Sequence, residues 1–162
     1  MTRKEQYNQL ILQIAGLIKD ETNLMGILAN VSAALHDTFP ERFFWVGFYL
    51  QENGNMLRLG PFQGSVACYV IPFGKGVCGK AWEEGCTLIV PDVEKFPGHI
   101  ACSSLSRSEI VVPMYDDSHT FRGVLDIDST QLNDFNEDDK EGLERIIELL
   151  MAETQDLFQQ KG

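Results

Sequence analysis

Residues 43–51, Phe43-Phe44-Trp45-Val46-Gly47-Phe48-Tyr49-Leu50-Gln51, constrain the fold of this chain more than any other segment. The run is rich in aromatic and β-branched residues, which favour a pleated strand. Strand alternation puts Phe44, Val46, Phe48 and Leu50 on one face and Trp45, Gly47 and Tyr49 on the other. Glu52-Asn53-Gly54-Asn55 follows at once and is a strong hairpin signal, with 56–60 as the return strand. A second hairpin is expected from 109–115 and 121–128, with shorter strands at 67–73 and 87–90.

Helices fill the remainder. Leu10, Ile11, Ile14, Leu17 and Ile18 recur at helical spacing within 4–19, and Leu24, Ile27, Leu28, Val31 and Leu35 do the same before a stop at 37–40. The turn Gly74-Lys75-Gly76 leads into a short helix over 77–84 that Gly85 ends. A long helix over 137–155 has Leu143, Ile146, Ile147, Leu150 and Met151 on its inner face, with Asp134 or Asn136 as its cap. Hairpins and flanking helices together predict an α+β domain with a largely antiparallel sheet, one unit over 1–162.

The net charge of -11 argues against nucleic acid or an anionic membrane as a partner. No apolar stretch is long enough to span a bilayer, and the polar residues 1–7 lead into no signal core, so a cytoplasmic location is expected. In that reducing compartment a disulfide would be transient, and catalytic or redox-sensing.

Three thiols therefore draw the functional reading: Cys68, Cys78 and Cys102, the last within Phe96-Pro97-Gly98-His99-Ile100-Ala101-Cys102. With His99 they form a conceivable zinc set, but no close Cys pair exists and the ligands would come from three separate elements, so no metal is expected. Cys78 would lie in the first turn of a helix, where a lowered pKa is expected. His99 either orients its loop, lowers the Cys102 pKa, or is a plain loop residue. Cys86 reads as structural filler before a buried strand.

Three carboxylates form a second constellation. Asp126 and Asp128 alternate with Leu125 and Ile127 and so share a strand face. If Asp116 pairs with Phe121, Glu109 falls opposite Asp128 on that face; a slip of one residue separates them. Clustered carboxylates hold a proton or attract a cation, and a protonated one beside a thiolate can protonate a leaving oxygen. Trp45 and Tyr49 flank the gap at Gly47, either as a second packing surface or as the wall of a small pocket.

These segments resemble the free methionine-(R)-sulfoxide reductases, a single-domain family with the GAF fold. The resemblance rests on Trp45-Val46-Gly47-Phe48-Tyr49, Gly60-Pro61-Phe62-Gln63-Gly64, Gly74 to Gly79, Phe96 to Cys102, Ser108 to Pro113 and Gly123 to Ser129. It implies a six-stranded antiparallel sheet between helices. It also implies reduction of the free amino acid by Cys102, through a sulfenic acid and a disulfide with Cys68, with Cys78 as an alternative or relay. Thioredoxin would be the external reductant, with no bound cofactor. Trp45 and Tyr49 would hold the methylthio end, and Glu109, Asp126 and Asp128 the ammonium and the proton. The family often has Asp after the last cysteine, where this chain has Ser103. The first two helices offer a face for a homodimer. The rival expectations are a GAF module that only binds a small molecule, and a thiol switch acting on a partner protein. A sensor would usually carry an output domain, for which this length leaves no room.

Overall fold

A computed structural model describes residues 1–100 and 102–159. Ala101 of the Phe96–Cys102 run, and positions 160–162 of the expected 1–162 domain, lie outside the described residues. Element order is α1 (Arg3–Ile18), α2 (Leu24–Thr38), β1 (Trp45–Glu52), β2 (Met56–Gln63), β3 (Val70–Pro72), α3 (Gly76–Glu84), β4 (Leu88–Val90), a 3₁₀ turn (Val93–Lys95), β5 (Ser108–Tyr115), β6 (Phe121–Ser129) and α4 (Glu137–Gln159). The strands form one sheet in the order β3-β2-β1-β6-β5-β4, every pair antiparallel. The expected α+β class and six-stranded sheet are therefore present.

The sheet separates two apolar layers. On one side Val46, Phe48 and Leu50 of β1, with Ile110, Leu125 and Ile127, pack against α1, α2 and α4. On the other, Trp45, Tyr49, Val111 and Val124 pack against α3 and the long connections. Strand alternation thus assigns one set of residues to the stable core and the other to the side with the site.

Local chemistry explains the helix ends. Thr2 caps α1 in a reciprocal box with Glu5, and Asn23 caps α2. Asn136, rather than Asp134, caps α4: its side chain accepts from the Asp138 and Asp139 amides. Asp134 is used elsewhere, accepting from Arg42 Nε and from Ser129 Oγ. Asp139 is fully buried and accepts from the Tyr7 hydroxyl (2.6 Å), Arg3 Nη1 (2.8 Å) and Arg42 Nη2 (3.0 Å), tying α1, the α2–β1 connection and α4 together.

Five details depart from the sequence reading. Phe43, not Phe44, joins Val46 and Phe48 in the core, because regular strand begins only at Trp45; Phe44 packs on the opposite side. The β2 strand runs on through Pro61 to Gln63. The strand expected over 67–73 contracts to Val70–Pro72, leaving Cys68 in the loop before it. The Asp116–Phe121 pair does not form: Phe121 stands opposite Tyr115, and a bulge beside Met114 restores the register upstream. Cys86 is exposed rather than filler, because β4 is a short edge strand that starts after it.

Asp139→Ala removes the buried acceptor shared by Tyr7, Arg3 and Arg42 and should cost about 3 to 5 kcal/mol, read from urea unfolding midpoints at constant slope.

Candidate active site

Beyond the bulge, β5 and β6 pair in the register that places Glu109 opposite Asp128, with Val111 opposite Asp126. Glu109, Asp126 and Asp128 accordingly face the α3 side of the sheet. They line one cavity with Trp45 and Tyr49 of β1, Cys78 of α3, and His99 and Cys102 of the 91–107 connection. Every expected site residue except Cys68 lines this cavity. Cys68 is joined to Cys102 by a disulfide, with their Cα atoms 5.5 Å apart.

Burial dominates the electrostatics. It pushes the Glu109 carboxyl well above the usual carboxylate range, and the charges of Asp126 and Asp128 push it further. Asp128 is raised well above its ordinary value by burial and then by Asp126. Asp126 is raised by burial as well, but hydrogen bonds from Glu109 and Cys78 counter the effect. The cluster therefore retains protons at neutral pH, and Asp126 is its most readily ionised member. Asp126 Oδ1 is buried without a hydrogen-bond partner among the described residues, so the cavity holds an acceptor still needing a donor.

Cys78 does lie in the first turn of α3, yet its thiol is not acidified. Burial, followed by the charges of Asp126, Glu109 and Asp128, raises it well above the ordinary thiol value. The helix terminus is outweighed because desolvation and three nearby carboxylates all oppose a thiolate. Instead Cys78 stays a thiol beside Asp126, their sulfur and carboxylate atoms within 4.8 Å.

The α3 start depends on its glycines, as Gly76 adopts φ +61 with Ile100 packed over it. Burial lowers His99 below the usual imidazole value, leaving it neutral at pH 7, and its Nε2 lies 3.9 Å from Glu109 Oε1. Ser103, which replaces the family's frequent Asp, accepts from the Leu105 amide and shapes the loop after Cys102.

The aromatic wall is more crowded than the gap at Gly47 suggested. A side chain at Gly47 would collide with Phe62 and with the Pro61 carbonyl, so the glycine admits β2 rather than a ligand. Phe62 stacks on Trp45 (5.1 Å), which stacks in turn on Tyr49 (5.8 Å). Trp45 Nε1 donates to the Ser65 carbonyl, and the Tyr49 hydroxyl to the Cys68 carbonyl, so both rings also hold the loop that carries Cys68.

Ile71, Val77, Ile100 and Ser106 also line the cavity. They had no chemical signal in the sequence; only their closeness to the cysteines and glycines pointed to them. Among the described residues, Cys78, Glu109 and Asp126 could present ligand atoms to a metal, all within 4.8 Å of one another. The zinc set of three cysteines and His99 is not assembled here, since two of its sulfurs are joined to each other.

A six-stranded antiparallel sheet with a thiol and carboxylate cavity under α3 is the architecture of a GAF domain. No family model matches the chain. GAF domain-containing protein A of Dictyostelium discoideum is 56% identical over 149 residues, 92% of each chain. Free methionine-R-sulfoxide reductase of Saccharomyces cerevisiae is 42% identical over 155 residues, 93% of this chain and 86% of the yeast protein. The X-ray structure of free methionine-R-sulfoxide reductase from Neisseria meningitidis, in complex with its substrate, superposes with a TM-score of 0.93 at 44% identity. It covers all of this chain and 95% of that one. The chain belongs to the free methionine-R-sulfoxide reductase family.

Two outcomes test this electrostatic picture. Between the ordinary carboxylate pKa and its raised native value, Glu109 stays protonated folded but ionises unfolded, so its contribution to stability falls as pH rises. Glu109→Gln should therefore raise the melting temperature more at pH 8 than at pH 4. With the disulfide intact, iodoacetamide at pH 8 should modify the exposed Cys86 and leave Cys78 unmodified by mass spectrometry.

Proposed function

We propose that this protein reduces free L-methionine-(R)-sulfoxide to L-methionine in the cytoplasm as a single GAF domain, with thioredoxin as external reductant. The observation that carries this reading is the Cys68–Cys102 disulfide beside a cavity of proton-holding carboxylates.

In the reduced enzyme the Cys102 thiolate attacks the sulfoxide sulfur. Glu109 or Asp128, protonated because they are buried, supplies a proton to the oxygen. The Cys102–sulfur bond forms as the protonated oxygen takes a second proton and leaves as water. Water then attacks Cys102 Sγ, the sulfur–sulfur bond breaks with its electron pair on methionine, and Cys102 is left as a sulfenic acid. The Cys68 thiol attacks that sulfur, water leaves, and the disulfide forms. A dithiol then returns two electrons and two protons.

Each remaining group has a place in this scheme. Asp126, the most acidic of the three carboxyls, receives the substrate ammonium at its unpartnered Oδ1. A peptide-bound residue lacks that ammonium, and burial of Asp126 without its partner costs affinity, so the free amino acid is preferred. Trp45 and Tyr49 face the methylthio end. Cys78 lies beside Asp126 and is neither nucleophile nor relay, since a high thiol pKa keeps it from being a thiolate. A homodimer through α1 and α2, where Leu12, Leu17 and Met25 are exposed, is compatible with this scheme.

Single-turnover assays without reductant separate the cysteines. Cys102→Ser should release no methionine, and stoichiometric release would sink the assignment. Cys68→Ser should release one equivalent and then fail to cycle with thioredoxin. A ligand-binding module predicts no methionine from any form. A thiol switch predicts the disulfide after peroxide but no methionine.

A further inference from the structure

The disulfide can be reopened only by electrons from outside, and the two loops that carry its cysteines hold no charged side chain. Among 24 acidic and 13 basic residues, none lies between Arg58 and Lys75 or between Lys95 and Arg107. These two stretches carry Cys68 and Cys102. Charge-free runs elsewhere are buried, as in β1, or lie on the far side of the sheet, as residues 6–18 of α1 do, whereas these two flank the bridge and present large apolar side chains to solvent. Tyr69, adjacent to Cys68, is 77% exposed; Leu105, three residues after Cys102, is 59% exposed; Val66 is 88% exposed. The lone histidine within them, His99, is kept neutral by burial. Both stretches are bounded at each end by an exposed cation: Arg58, Lys75, Lys95 and Arg107.

On the strength of the reductase reading above, we propose that the loops around Tyr69 and Leu105 are the docking surface for the dithiol protein that regenerates the enzyme. Its thiolate enters at Cys68. Cys102 lines the substrate cavity and Cys68 does not, so Cys68 is the outward sulfur of the bridge. Attack on Cys68 Sγ forms a mixed disulfide and expels Cys102 as the thiolate. The partner's second thiol then attacks its own sulfur in the mixed disulfide, and Cys68 leaves in turn. The dithiol becomes a disulfide, the two cysteines take its two electrons and two protons, and Cys102 is ready for the next sulfoxide.

The chemistry of the surface fits that occupant. A reductant must bring its sulfur onto a half-buried bridge, which needs close apolar contact and the exclusion of water. Across a surface of net charge -11, an acidic partner would be repelled. Here the two stretches carry no carboxylate of their own and end on four exposed cations. Small thiols need none of this, because they can reach the bridge without docking.

The test starts from protein with the Cys68–Cys102 disulfide intact and no sulfoxide, so it proceeds whether or not the substrate assignment holds. Rates of disulfide reduction are measured with reduced thioredoxin and, separately, with dithiothreitol. The double substitution Tyr69→Glu with Leu105→Glu should slow thioredoxin by at least about tenfold and leave dithiothreitol within about twofold. Leu12→Glu on α1, 75% exposed in the native protein, should change neither rate. An unchanged thioredoxin rate in the double variant overturns the proposal. So does equal slowing by both reductants, or a Leu12→Glu variant that slows thioredoxin as much. A dimer lost on Tyr69→Glu/Leu105→Glu substitution, with thioredoxin kinetics intact, would assign the surface to a second copy of this chain instead.

Discussion

Glu109 stands opposite Asp128 because β5 and β6 meet in one register rather than its neighbour, and every property of the cavity depends on that pairing. A shift of one residue would turn the Glu109 carboxyl into the aliphatic core against α4 and bring Ile110 into the site. The register is held by what lies on the opposite face: Ile110, Val112, Leu125 and Ile127 are all buried among the long helices. The acidic cluster is thus fixed in place by residues that take no part in it.

This arrangement sets the two faces of the sheet against each other. Burying three carboxylates side by side is unfavourable unless they keep protons or gain a cation. The compensating stability comes from the helical layer and from Asp139, where a buried acid has four donors and is fully matched. The same kind of side chain is therefore structural at Asp139 and chemically poised at Asp126, and the difference is the number of donors each one finds.

Much of this was legible in the sequence. Alternation in β1 separated Trp45 and Tyr49 from Val46 and Phe48, and Asp126 and Asp128 shared a face because strand geometry requires it. Glu109 could be placed only conditionally, since the hairpin end contains a bulge that no local residue announces. The Cys78 environment was misread for a related reason. A helix terminus is visible in the chain, but three carboxylates brought to it by β5 and β6 are tertiary facts. The role of Gly47 was hidden likewise, because Phe62, which fills the apparent gap, lies on another strand.

The bridge between Cys68 and Cys102 spans 34 positions and encloses α3 and β4 within a covalent ring. Such a ring restricts the unfolded chain, which by loop entropy favours the folded form by about 3 to 4 kcal/mol. Under the proposed cycle, which makes and breaks this bond at each turnover, the protein would alternate between a tethered and an untethered α3 segment. It is most robust while awaiting electrons and most pliable while its thiols are free to receive an oxidised amino acid. Shortage of reducing equivalents therefore stores the protein in its sturdier form.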